Sequence, residues 1–162
     1  MFSFMDTAEQ DDYKDVCSAI IPGMVYLSGY RVANSREVLE DLSIRHVVRL
    51  GDAEDLKLYV DHDDVEYHTI EIKDSVRCHL TPTLLDAAID FILSATTPVL
   101  IHCHAGVSRS ATVAMAYLIR VHKKNYREAK NEVCGSRPCA SPNSTFLKDL
   151  QLYASCAAYQ HF

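Results

Sequence analysis

Short apolar runs alternate with amphipathic stretches along the chain, and the apolar period switches between two residues and three to four. Met24-Val25-Tyr26-Leu27 follows the turn signal Ile21-Pro22-Gly23 and predicts a first strand. Asn34 or Ser35 can cap a helix whose apolar positions Val38, Leu39 and Leu42 recur at helical spacing. His46-Val47-Val48-Arg49-Leu50 before Gly51, and Tyr67-His68-Thr69-Ile70-Glu71-Ile72 after an acidic turn, are β-branched or alternating and predict second and third strands. Thr81-Pro82 opens a helix with Thr as N-cap and Pro in the first position. Leu84, Leu85, Ala88, Ile89 and Ile92 make its buried stripe, which ends near Ser94. Pro98-Val99-Leu100-Ile101 is a continuous apolar run, the pattern of a central strand covered on both faces.

Between positions 110 and 121 nearly every residue is apolar or small, which predicts a helix buried on all sides. Two further helices are predicted from 126 to about 133 and from 145 to about 158, joined by a loop with Gly135, Pro138 and Pro142. Strands alternating with helices give an α/β layer fold: one domain with a central, mainly parallel sheet flanked by helices.

Composition narrows the function classes. A chain of 162 residues, 48% hydrophobic and 23% charged, fits one globular domain and excludes disordered, collagen-like and repeat architectures. The net charge of −6 argues against nucleic acid or an anionic membrane as partner, so any anion site must be local. The longest apolar stretch, 111–121, is interrupted by Arg120 and falls short of the roughly 20 residues that span a bilayer. Asp6, Glu9, Asp11, Asp12 and Asp15 make residues 1–19 an acidic leader rather than a secretory signal, ahead of a domain over residues 20–162. Without such a signal, the six cysteines are expected to stay reduced in a cytoplasmic and/or nuclear setting.

The chemistry concentrates in Val99-Leu100-Ile101-His102-Cys103-His104-Ala105-Gly106-Val107-Ser108-Arg109-Ser110, which reads as buried strand, tight loop and buried helix. Ligands bind at the carboxyl ends of such strands. A loop entering a helix N-terminus turns successive backbone N–H groups into one concavity, and the helix dipole adds positive potential that cradles phosphate. The same field stabilises a thiolate at Cys103, lowering a thiol from about 8.5 into a range of roughly 3.5–7.5. Arg109 ends the loop where its planar fork can grip two phosphoryl oxygens, a geometry Lys cannot reproduce. His102-Cys103-His104 is not a metal site, because neighbours leaving a strand point to alternating sides. Gly106-Val107-Ser108-Arg109-Ser110 also approaches the G-x-S-x-G elbow of serine hydrolases, with Ser110 where the second Gly should stand.

His102-Cys103-x2-Gly106-x2-Arg109-Ser110 resembles the signature loop of the cysteine-dependent protein tyrosine phosphatases, and its Ala105-Gly106-Val107-Ser108-Arg109-Ser110-Ala111-Thr112 version resembles the small dual-specificity branch. Tyr26-Leu27-x-Gly29, Asp74, Ala116-Tyr117-Leu118 and Arg137-Pro138-x3-Pro142-Asn143-x2-Phe146 extend the likeness over residues 20–155. The resemblance implies that Cys103 attacks phosphorus and that Arg109 binds the phosphoryl oxygens with the loop residues His104, Ala105, Gly106, Val107 and Ser108. It further implies that Ser110 helps the thiolate leave, that Asp74 is general acid and then base, and that His102 and Asn143 support them. Neither metal nor other cofactor is implied, and the partners are phosphoprotein substrates carrying phosphotyrosine or phosphoserine/phosphothreonine. Asp74 precedes Cys103 by 29 residues on a predicted loop, with Asp63, Asp64 and Asp86 as rival carboxylates. Arg49 departs from the family pattern, and the loop carries no Lys of the kind the phosphoinositide-cleaving relatives use. Two alternatives stay open: a catalytically weak phosphoprotein-binding scaffold, and an RNA 5′-triphosphatase variant served by Arg120, Lys123, Lys124, Arg127 and Lys130. Such a basic run is more often a solvated helix face.

Overall fold

The computed structural model describes residues 15–159. Five strands form one sheet in the order β1-β2-β5-β3-β4, namely β1 (Ser18–Ile21), β2 (Val25–Ser28), β3 (His46–Gly51), β4 (Glu66–Glu71) and β5 (Val99–His102). β2, β5, β3 and β4 run parallel, and β1 adds antiparallel to β2 at one edge. The single α/β domain with its mainly parallel sheet is therefore the one the alternating pattern predicts. β1 was not predicted. It is four residues long and follows directly on the acidic segment, so the sheet begins at Ser18, inside the leader drawn at residues 1–19. Asp6, Glu9, Asp11 and Asp12 lie outside the described residues. Pro22-Gly23 makes the β1–β2 hairpin turn, closed by the Met24 N–H donating to the Ile21 carbonyl, with Gly23 at φ +75° in the left-handed position.

Helices cover both faces: α1 (Tyr30–Ala33), α2 (Arg36–Asp41), α3 (Ala53–Leu56), α4 (Pro82–Ser94), α5 (Arg109–Val121), α6 (Tyr126–Ser136) and α7 (Ser144–Tyr159). β5 sits in the middle of the sheet with all four residues buried, and its period-two alternation feeds two cores. Val99 and Ile101 join the main core with α4, α5 and α7, while Leu100 joins Ala33, Leu39, Ile44 and Val47 on the opposite face. α5 is buried continuously from Arg109 to Ile119, as its run of apolar and small residues predicts. α1 and α3 each have four residues, too few to leave a periodic signal in the sequence. Among the described residues, no helix is long and apolar enough to cross a membrane.

All the parallel strands end at the same edge, and β5 runs from its carboxyl end straight into the loop before α5. The segment leading from β4 to α4 crosses above that loop and is pinned at its far end. Leu80's N–H and His79 Nδ1 both donate to Asp149 of α7, at 2.9 Å each. Thr81 then caps α4 by accepting from the Leu84 N–H. Replacing the buried Asp149 by Ala leaves the buried Leu80 N–H without a partner, and the expected cost is about 1–3 kcal/mol. Urea unfolding measures it; a midpoint equal to wild type would remove this bond from the forces holding the segment.

Candidate active site

The loop between β5 and α5 turns its carbonyls outward one after another. The Cys103 carbonyl accepts from His102 Nδ1 at 3.2 Å, and that of His104 from the Tyr30 N–H at 3.0 Å. Arg137 supplies the next two, with Nη2 3.3 Å from the Ala105 oxygen and Nε 2.7 Å from that of Gly106. Val107 accepts from the Ser141 N–H at 2.7 Å, and Ser108 from the Thr112 N–H and hydroxyl. With the carbonyls from Cys103 to Ser108 all held from outside, the N–H groups of the loop are left for the concave side. Two glycines make the close packing possible. Gly106 has φ +68°, and a Cβ there would lie 2.5 Å from Ser28 backbone; a Cβ on Gly29 would lie 2.9 Å from the His104 carbonyl oxygen.

The loop floors a cleft of about 290 Å³ that also takes in Asp52, Asp55, Lys73 and Asp74. Cys103 is 2% exposed at its base, with Sγ 3.0 Å from the Ser110 hydroxyl. Arg109 Nη1 donates to Asp55 Oδ2 at 2.6 Å and to the Ile72 carbonyl at 3.0 Å. Asp74 Oδ1 accepts from the Ser108 hydroxyl at 2.8 Å and from Asn143 Nδ2 at 2.9 Å. The structure thus brings Cys103, His104, Ala105, Val107, Ser108, Arg109 and Asp74 to one cleft. Gly106 turns the loop beneath it, with Ser110 against the sulfur and Asn143 against Asp74.

The rival carboxylates are occupied elsewhere. Asp64 pairs with Arg36 and Arg45, and Asp86 with Arg120 and the Tyr153 hydroxyl, while Asp63 is exposed in its turn. Arg49 is spent on Asp61 and Thr69 and lies over the Tyr67 ring, 4.2 Å from its centroid. The basic run starts at Arg120, near the end of the 13-residue α5, about 17 Å along the helix from its first residue. None of its five residues lines the cleft.

Two contributors have no role assigned to them by the sequence. One is the Asp52–Asp55 turn, whose reciprocal capping box on α3 is visible in retrospect as Asp-x2-Asp after a strand. The other is Arg137, which is fully buried and also donates to the Val16 carbonyl and the Ser18 hydroxyl, tying β1 to the loop. Its positive charge behind the loop adds to the field of the α5 N-terminus.

Burial opposes the charge on Arg109, but the Asp55 carboxylate outweighs it and holds the guanidinium above its usual range. Burial likewise opposes ionisation of Asp55, and its bonds from Arg109 and Asp52 bring that carboxyl below the usual range. His102 is pushed down to about 4 by burial, aided by the Arg49 charge. Its Nδ1 faces a carbonyl, which only accepts, so the neutral ring carries its proton there.

The unfolded chain protonates this imidazole near 6.5 and the folded protein only near 4. Stability is therefore lost as pH falls from 6.5 towards 4, by about 2–3 kcal/mol at pH 4.5. Denaturant unfolding of wild type and His102→Gln at pH 7 and 4.5 checks this: the drop is expected to shrink in the variant, and equal drops would contradict it. Gly106→Ala meets both the Ser28 backbone and a left-handed φ, and is expected to cost about 2 kcal/mol or more together with affinity for inorganic phosphate. A variant with wild-type melting temperature and phosphate affinity would overturn that account of the loop.

Residues 25–156 match the family described as the dual specificity phosphatase catalytic domain. The chain is 31% identical over 141 residues to dual specificity protein phosphatase 1 of Arabidopsis thaliana, covering 85% of this chain and 69% of that protein. It is 30% identical over 145 residues to human dual specificity protein phosphatase 22, covering 88% and 76%. Several longer relatives extend well beyond it, and the chain spans about a third of their length. Among solved structures, the human tyrosine phosphatase-like serine/threonine/tyrosine-interacting protein superposes with a TM-score of 0.81 at 26% identity, covering 88% of this chain and 97% of that one. The chain belongs to the dual-specificity protein phosphatases of the cysteine-dependent tyrosine phosphatase superfamily.

Proposed function

We propose that the protein hydrolyses phosphotyrosine and phosphoserine/phosphothreonine in protein substrates through a phosphocysteine intermediate. The observation that carries this reading is the loop itself, with its carbonyls held outward around a buried Cys103. The Cys103 thiolate attacks phosphorus, forming the S–P bond as the ester O–P bond breaks. Loop N–H groups and Arg109 stabilise the charge on the equatorial oxygens. Asp74 Oδ1 is engaged by Ser108 and Asn143, which leaves Oδ2 to protonate the departing oxygen.

In the second step Asp74, now a carboxylate, takes a proton from water as the water oxygen attacks phosphorus and the S–P bond breaks. Ser110, 3.0 Å from the sulfur, donates its hydroxyl hydrogen towards the thiolate that forms. Inorganic phosphate leaves, and Asp74 is again protonated for the next cycle.

Steady-state hydrolysis of an aryl phosphate in excess chelator tests the reading. Cys103→Ser is expected to abolish turnover while inorganic phosphate still binds, and Arg109→Lys to lose at least about 100-fold despite equal charge. Asp74→Asn is expected to slow alkyl phosphates far more than activated aryl phosphates. Equal slowing of both would assign the proton to another group. No turnover by folded, reduced wild type would favour a phosphate-binding scaffold instead.

A further inference from the structure

Asp55 touches the cleft from outside both the loop and the segment that carries Asp74. Its Oδ2 lies 2.6 Å from Arg109 Nη1 and also accepts the Asp52 N–H at 3.0 Å, while its Oδ1 lies 3.1 Å from His104 Nδ1. Asp52 Oδ1 in turn accepts the Asp55 N–H at 2.9 Å. The carboxylate is therefore fixed by its own turn before it meets the loop. Tyr30, whose ring centroid is 4.9 Å from that of His104, backs the imidazole.

Arg109 is almost wholly buried, and its N–H groups are unevenly used. Nη1 is taken by Asp55 and the Ile72 carbonyl, whereas Nε is buried with no acceptor among the described residues. A buried N–H of a charged group is rarely left unpaired in a folded protein unless a ligand completes it. A guanidinium held at Nη1 keeps one fork free, the Nε edge, and a phosphoryl group presents oxygens with the spacing that fork requires.

We propose that Asp55 is a positioning residue of this active site: by holding Nη1 of Arg109, with its other oxygen held by His104, it presents the Nε edge to the phosphoryl oxygens. This rests on the reading of Arg109 as the phosphate clamp. The opposite role, an internal anion competing with phosphate, would require Asp55 to occupy the Nε edge, and it does not.

The sign of one substitution separates the two roles. Asp55→Asn keeps an oxygen for the Asp52 N–H but removes the charge that holds Arg109. It is expected to lower kcat/KM for an aryl phosphate by roughly 10- to 50-fold and to raise the Ki of orthovanadate, which mimics the five-coordinate transition state, by a similar factor. Ki does not depend on how much enzyme is folded, so a stability loss alone cannot move it. Asp55→Glu, restoring the charge on a longer arm, is expected to recover part of the loss.

In the Arg109→Lys background, which has no fork to orient, Asp55→Asn is expected to change kcat/KM less than about threefold. Equal losses in both backgrounds would show that Asp55 acts independently of Arg109. An unchanged or lower vanadate Ki in Asp55→Asn would overturn the proposal as well. Loss in Arg109→Lys without loss in Asp55→Asn would sink this proposal and leave the clamp standing, whereas near-normal activity in Arg109→Lys would sink the clamp itself.

Discussion

Six consecutive backbone carbonyls, from Cys103 to Ser108, are held facing away from the cleft, and the electrostatics of the site follow from keeping them there. A peptide that flipped would aim an oxygen at the place where phosphate oxygens must sit, exchanging attraction for repulsion. The donors that prevent this come from across the molecule: Tyr30 after β2, Arg137 at the end of α6, Ser141 in the following loop, and Thr112 within α5. Arg137 is the most heavily committed, with four neutral oxygen partners from two parts of the chain. Its burial would be unfavourable without them.

The rest of the architecture makes that loop rigid and its walls polar. β5 is enclosed on both faces and α5 along nearly its whole length, so Cys103 is carried between two deeply buried elements of the fold. Asp74 and the Asp52–Asp55 turn arrive on the connections after β4 and β3 instead. Asp55 and Asp74 touch adjacent residues at the end of the loop, Arg109 and Ser108, so each carboxylate is oriented by the loop itself. Electrostatic preorganisation of this kind is the main catalytic resource of a site that works by positioned charge.

How much of this was legible in the sequence depends on how local each feature is. β3, β4, α4 and α5 are visible because their apolar periods run long enough to register, four-residue β2 and β5 because a turn signal and an unbroken apolar run mark them, and Thr81-Pro82 marks a helix start by its own chemistry. Cys103, Gly106 and Arg109 are legible because a strand, a loop and a helix N-terminus impose one short spacing. β1, α1 and α3 have four residues each and form through pairing and packing that no window of their own sequence encodes. Asp55 and Arg109 lie 54 residues apart, and Arg137 and Gly106 lie 31 apart, so these partnerships exist only once the sheet has brought the connections together. The identity of Arg137 was visible, but its role as the anchor of two loop carbonyls was not.

The account stands on a covalent phosphoryl group passing through Cys103. The direct measurement is to mix enzyme with an aryl phosphate, quench in denaturant at neutral pH within a turnover, and map the modified peptide by mass spectrometry. One phosphoryl group on Cys103, absent from Cys103→Ser and turning over at the steady-state rate, is the predicted result. Turnover with no phosphoryl group on Cys103, or with one on another residue, would contradict it.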